Sequence, residues 1–123
     1  MNKEQALQAF WASFGLPAYD ELSVPDGAEM PYITYGVSTG ALGDPIQLHG
    51  SIWYRSPSWD AITQKAHQIG QDVGEYGHKI LVLDNGRLFL AQGVPFAQRM
   101  SDPNDDMIRR IYININAEFF TAF

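Results

Sequence analysis

The sequence predicts an α+β fold, an antiparallel or mixed β-sheet of about five strands with two main helices packed against it. Three observations predict it. Residues Ser56 to Gly77 carry an apolar stripe at helical spacing, Asn85-Gly86 sits between two apolar runs as in a tight hairpin, and residues 110–119 alternate apolar and polar side chains. At 123 residues the chain has room for a single domain spanning 1–123, and 46% apolar residues supply one core.

The first helix is expected over Met1 to Phe14, where Ala6, Leu7, Phe10, Trp11 and Phe14 recur every three or four residues before Gly15 and Pro17 stop it. Leu16 to Pro31 contains Pro17, Pro25, Gly27 and Pro31 without periodicity, and reads as a long loop or arm over the surface. Tyr32 to Thr39 is rich in β-branched and aromatic residues and reads as a strand. After a turn containing Gly40, Gly43, Asp44 and Pro45, a second strand is expected from Gln47 to Arg55, with Leu48, Gly50, Ile52 and Tyr54 on one face.

The second helix is expected to start at Ser56 as N-cap with Pro57 in the first turn. Trp59, Ile62, Ala66, Ile69, Val73 and Tyr76 form its buried stripe, and Gly77 ends it. Gly70 and Gly74 cost helix stability relative to Ala, which predicts a close approach to the sheet or to a neighbouring subunit. Lys79 to Asp84 and Arg87 to Gln92 are then paired about an Asn85-Gly86 type I′ turn, setting Leu83 opposite Leu88, Leu81 opposite Leu90 and Val82 opposite Phe89, with both faces buried. A short segment from Pro95 to Met100 and a polar loop from Ser101 to Asp106 lead into the last strand. Its long alternation of Ile111, Ile113, Ile115, Ala117 and Phe119 places it near the sheet centre.

The function classes narrow by composition. Without cysteine the chain has no disulfide, thiolate metal site or thiol nucleophile. A formal net charge of −6 with few, scattered Lys and Arg argues against specific nucleic-acid binding, although an acidic surface lets DNA slide past. Met1 to Gly15 carries Glu4 and no long apolar run, so no signal peptide is expected. Nor is any membrane span, and a cytoplasmic origin follows.

Chemistry finds little support. His49, His67 and His78 lack the i, i+3 or i, i+4 spacing of a shared metal ion. The Asp102 to Asp106 loop has Met107 and Ile113 where a calcium loop needs Gly and Glu, so it reads as a solvated turn. There is no nucleophile elbow, dinucleotide fingerprint or phosphate loop. No cofactor, no metal and no enzymatic activity are expected. What remains is a set of aromatic and small residues suited to protein contacts: Tyr19, Tyr32, Tyr35, Leu42, Trp53, Gly70 and Gly74 are the candidate interface.

Pro31 to Tyr35 (Pro-Tyr-Ile-Thr-Tyr), Ser51 to Ser56 (Ser-Ile-Trp-Tyr-Arg-Ser), Gly93 to Gln98 (Gly-Val-Pro-Phe-Ala-Gln) and Arg109 to Ile115 (Arg-Arg-Ile-Tyr-Ile-Asn-Ile), in this order, resemble the strands of tail terminator proteins of long-tailed phages and prophages. The resemblance covers most of the chain from Tyr19 onward and rests on strand patterns. It implies a ring, commonly of six subunits, that caps the tail tube and docks to the head connector. The implied partners are copies of the chain, the major tail tube protein and the connector proteins, with DNA only as passing cargo. It further implies assembly in the bacterial host cytoplasm and a final place in the virion tail or neck. The arm from Leu16 to Pro31, the loop from Gly40 to Pro45 and an exposed sheet edge are the expected contacts. A head-closure or minor capsid neck protein and a small-ligand-binding domain are the alternative readings.

Overall fold

Asn2 starts the first helix, α1 (Lys3–Ala12), with a reciprocal pair of bonds. Its side chain accepts from the Gln5 backbone N–H at 2.9 Å, while the Gln5 side chain accepts from the Asn2 backbone N–H at 3.0 Å. The helix is therefore shorter than the apolar periodicity predicts. Ser13 caps its C-terminus, Gly15 turns the chain with a φ of 84°, and Phe14 is buried beyond the helix end.

The computed structural model describes residues 1–39, 45–74 and 79–121. After α1 come β1 (Ala18–Asp20), β2 (Tyr32–Tyr35), β3 (Pro45–Arg55), α2 (Asp60–Val73), β4 (Lys79–Leu83), β5 (Gly86–Met100) and β6 (Ile108–Thr121). The strands form one sheet in the order β1-β2-β3-β6-β5-β4, in which β1 runs parallel to β2 and every other pair is antiparallel. The fold is α+β with a mixed sheet, and β6 lies inside it between β3 and β5. The sheet has six strands where about five were expected, because the arm contributes β1: three residues are too few to show an alternation.

One face of the sheet is the core. Ile33, Leu48, Ile52, Leu88, Leu90, Ile113, Ile115 and Phe119 point to it and meet Leu7, Phe10 and Trp11 from α1 and Ile62, Ile69 and Val73 from α2. α1 packs against both β1 and β4, the two ends of the strand order, so the sheet curls around this helix. Trp11 reaches the middle of the sheet, where a Cβ built on Gly50 of β3 would lie 2.7 Å from its indole. A side chain at position 50 would displace the indole.

Several boundaries differ from the sequence reading, each for a local reason. β2 stops at Tyr35 instead of Thr39, where β1 and β3 also stop pairing with it. Ser56 and Pro57 do not open α2. The Ser56 N–H donates to Met107 O at 2.8 Å, continuing the β3–β6 pairing, and Ser56 and Ser58 hydroxyls accept from Ser58 N and Asp60 N in successive small turns. At the other end α2 stops at Val73, and Gly74, with a φ of 83°, is the C-cap instead of an interior residue. Leu42, the rest of the Gly40 to Asp44 turn, Tyr76, Gly77 and His78 lie outside the described residues.

The hairpin is present in a different register. Leu83 pairs with Gly86, Leu81 with Leu88 and Ile80 with Phe89, so Asp84 and Asn85 form the turn, and neither has the positive φ of a type I′ turn. Asp84 is held from outside the hairpin, its N–H donating to Met1 O at 2.9 Å. β4 is an edge strand with one open face: Ile80 and Val82 are 48% and 63% exposed, contrary to burial on both sides. Finally, the segment at Pro95 to Met100 is not separate. β5 continues through an irregularity between Gln92 and Ala97 and pairs with β6 on both sides of it. Asn114 spans the gap, its side-chain amide donating to Pro95 O at 2.9 Å, and a Cβ on Gly93 would lie 2.9 Å from the Asn114 Cβ.

Gly70 is the small residue that seats α2 on this irregular stretch. A Cβ there would lie 3.0 Å from Phe96, and Gln92 Nε2 donates to Gly70 O at 2.9 Å. Gly50→Ala and Gly70→Leu are each expected to lower stability by about 1–3 kcal/mol through overpacking. Urea denaturation with an unchanged m-value and a lower midpoint is the measurement; equal midpoints would mean that these contacts relax without cost.

Candidate functional site

Both helices pack on the core face, which leaves the opposite, convex face of the sheet to side chains alone. Alternation along the strands sends Thr34, Ser51, Trp53, Arg110 and Tyr112 to that side. Across β1, β2, β3 and β6 they form a row. The Tyr19 ring meets Tyr32 edge-on at 5.8 Å, Tyr32 meets Trp53 at 6.4 Å, and the Arg110 guanidinium lies 4.6 Å from the centre of the Trp53 ring.

Polar bonds fix this row. Trp53 Nε1 donates to Thr34 Oγ1 at 2.9 Å, and Arg110 Nε donates to Ser51 Oγ at 3.0 Å. Ser51 is a buried polar side chain of the sheet, 3% exposed, and its hydroxyl orients the guanidinium that covers Trp53. Beside the row, His49 stacks on Tyr112 at 5.6 Å and pairs with Glu21 at 3.0 Å.

The same face becomes apolar at the β4 end. Phe89 and Phe120 meet edge-on at 5.1 Å, and Ile80, Val82 and Phe120 are all substantially exposed. Next to them an open groove of about 780 Å³ is lined by Pro45, Ile46, Gln47, Phe89, Asn116 and Phe120 among others. Among the described residues its walls carry Glu118 as the one ionisable group, and the rest of the lining offers area for contact.

At the opposite end, where β3 finishes and β6 begins, cations gather around Trp59. Arg99 and Arg109 lie 4.8 and 5.2 Å from its ring centre, and Arg109 also donates to Asp106 O and Pro57 O. Arg55 pairs with Asp105 in the acidic turn. The hydrogen bond from Arg55 and then that from the Met107 N–H hold the Asp105 carboxyl below its ordinary value. Among the described residues no three His, Asp or Glu side chains come together as metal ligands, and no helix is long and apolar enough to cross a membrane.

No family model matches the chain, and no curated protein is significantly similar to it in sequence. Its fold has a solved counterpart. A chain of the virion of a native gene transfer agent particle matches with a TM-score of 0.64 and 21% identity, over 94% of this chain and 90% of that one. At this identity the likeness is one of fold.

Of the candidate interface residues, the structure brings Tyr19, Tyr32 and Trp53 together in the convex row. Tyr35 is not on that surface. It faces the core at 5% exposure, stacks on Trp11 with an interplanar angle of 11° and donates its hydroxyl to Gln8, and burial, with Asp20 and Glu4 nearby, raises its pKa. The strand alternation of Tyr32 to Tyr35 carried this signal, since Tyr32 and Tyr35 must point to opposite faces. Gly70 makes its close contact within the chain, Gly74 caps α2, and Leu42 is outside the described residues. Thr34, Ser51 and Arg110 were missed because their role depends on the β2–β3–β6 register, which no local pattern encodes.

Two outcomes follow. Ser51→Ala leaves the half-buried Arg110 Nε without its acceptor and is expected to cost about 1–3 kcal/mol, measured by denaturant unfolding; no change would mean that water replaces the hydroxyl. Because its folded-state pKa is depressed, Asp105 contributes stability that is complete above the ordinary aspartate value and is lost as pH falls through the lowered one. Carbon-13 NMR titration should find Asp105 titrating below ordinary aspartates, and Arg55→Gln should move it back up; an ordinary value in the unsubstituted chain would refute the pairing.

Proposed function

We propose that this chain is a structural protein of a virion, a tail terminator whose copies close into a ring on the end of the tail tube and offer a docking face to the head connector. The observation that carries the reading is the match of nearly the whole fold, end to end, with a chain of a virion. The order of strand motifs from Pro31 to Ile115 supports the finer assignment by its resemblance to tail terminators.

The surface agrees with work done by contact. An aromatic row on the convex face and an apolar patch around Phe89 and Phe120 supply large areas at two separate places. A head-to-tail ring needs two different surfaces on each subunit, since each copy meets its neighbours through unlike faces. In this reading the chain has no catalytic role. The net charge of −6 lets DNA pass through the ring without being held.

Purified protein is expected to form closed rings at high concentration, detected as a rise in mass by light scattering and as rings in negative-stain images, and to bind the ends of tail tubes. A strict monomer with no affinity for tubes would sink the proposal. Binding to the head connector without binding to tubes would move the chain to the head-closure side of the neck.

A further inference from the structure

Two stretches are left uncovered by the fold, and they oppose each other in charge. The first is the arm of residues 21–31 between β1 and β2. Between Lys3 and Arg55 the sequence has no Lys or Arg, while the arm and its root carry Asp20, Glu21, Asp26 and Glu29. Its backbone bonds stay at its root or within itself: Glu21 N to Tyr35 O, Ser23 N to Asp20 O and Ala28 N to Pro25 O. Leu22 stands out at 90% exposure, and among the described residues Asp26 and Glu29 have no ion-pair partner.

The second is the far half of β5. β4 covers β5 only as far as Leu90, and from Ala97 to Met100 the strand pairs with β6 alone, so its other edge has no strand partner among the described residues. Such an edge invites a partner unless it is blocked. From Asn85 to Ser101 there is no Asp or Glu, only Arg87 and Arg99. Val94 is 88% exposed, Met100 38%, and Arg99 rests on the Trp59 ring with no ion-pair partner among the described residues.

We infer that the arm of one copy lies against the free β5 edge of the next, with Leu22 packing among the exposed apolar side chains of that edge and with Asp26 and Glu29 facing Arg99. The inference rests on the ring proposed above and names its subunit contact. The two surfaces lie on opposite sides of the central β3–β6 pair, β1 and β2 on one side and β5 on the other. They are unlike and complementary, so every copy can use both at once and the contact is saturated only when the assembly closes.

The test uses the full chain in three forms: Arg99→Glu, the double variant Asp26→Lys with Glu29→Lys, and an equimolar mixture of the two. Each variant alone places like charges across the contact and is expected to raise the concentration needed for assembly on the order of tenfold. In the mixture an acidic edge meets a basic arm and a basic edge meets an acidic arm, so assembly returns towards the unsubstituted level. Asp26 and Glu29 are exposed, so the arm variant keeps its melting temperature and serves even if Arg99→Glu disturbs Trp59. An arm variant that assembles like the unsubstituted chain, or a mixture that is not rescued, overturns the contact while rings of the unsubstituted chain keep the ring reading. An unsubstituted chain that stays monomeric at every concentration overturns both.

Discussion

The packing of Trp11 over Gly50 governs the architecture. An indole is too large to lie flat against a strand that presents a side chain, and β3 presents none at Gly50, where the Trp11 indole meets it. The ring is 1% exposed and has Tyr35 stacked on it, with Phe10 edge-on at 5.0 Å. Because the indole sinks to the backbone, α1 comes low enough to touch β1 and β4 together, and the sheet bends round the helix instead of lying open. The same bend turns the other face outward, so a buried contact sets the shape of the surface available to partners.

That surface is ordered by bonds within the chain itself. Trp53 is fixed from two sides, by the Thr34 hydroxyl and by the guanidinium of Arg110, which Ser51 in turn holds from beneath. Side chains already ordered in the free protein lose little freedom on association, so their contact area converts more fully into affinity. The apolar end of the face, around Phe89 and Phe120, offers exposed apolar area. The one sheet thus carries two chemically different regions on the same face.

Much of this was legible in the sequence, and the failures share a cause. The apolar spacing of α1 and α2 and the alternation of β6 were visible because a single face of each element is buried over many residues. The existence of the hairpin was visible too, but not its register, because Asp84 is bonded to Met1 across the fold and the turn moves back by one residue. Ser56 looked like a helix cap and is instead the last rung of the β3–β6 pairing, again through a distant partner, Met107. At the candidate site, aromatic character marks Tyr19, Tyr32 and Trp53 in the sequence, whereas the burial of Tyr35 follows from its parity in β2 and not from its residue type. Ser51 and Arg110 carry no local sign at all: they meet only when residue 51 faces residue 112 and residue 53 faces residue 110.

The central position of β6 has a consequence for how the protein comes into being. β3 and β5 touch through β6, which follows both of them in the chain. Until it emerges, the two strands hold unsatisfied inner edges and the apolar residues of both lack their shared layer, so the native core cannot close co-translationally piece by piece. A chain cut short before Ile108 lacks the strand that joins the two halves of the sheet, so the curved scaffold cannot form from the preceding elements alone.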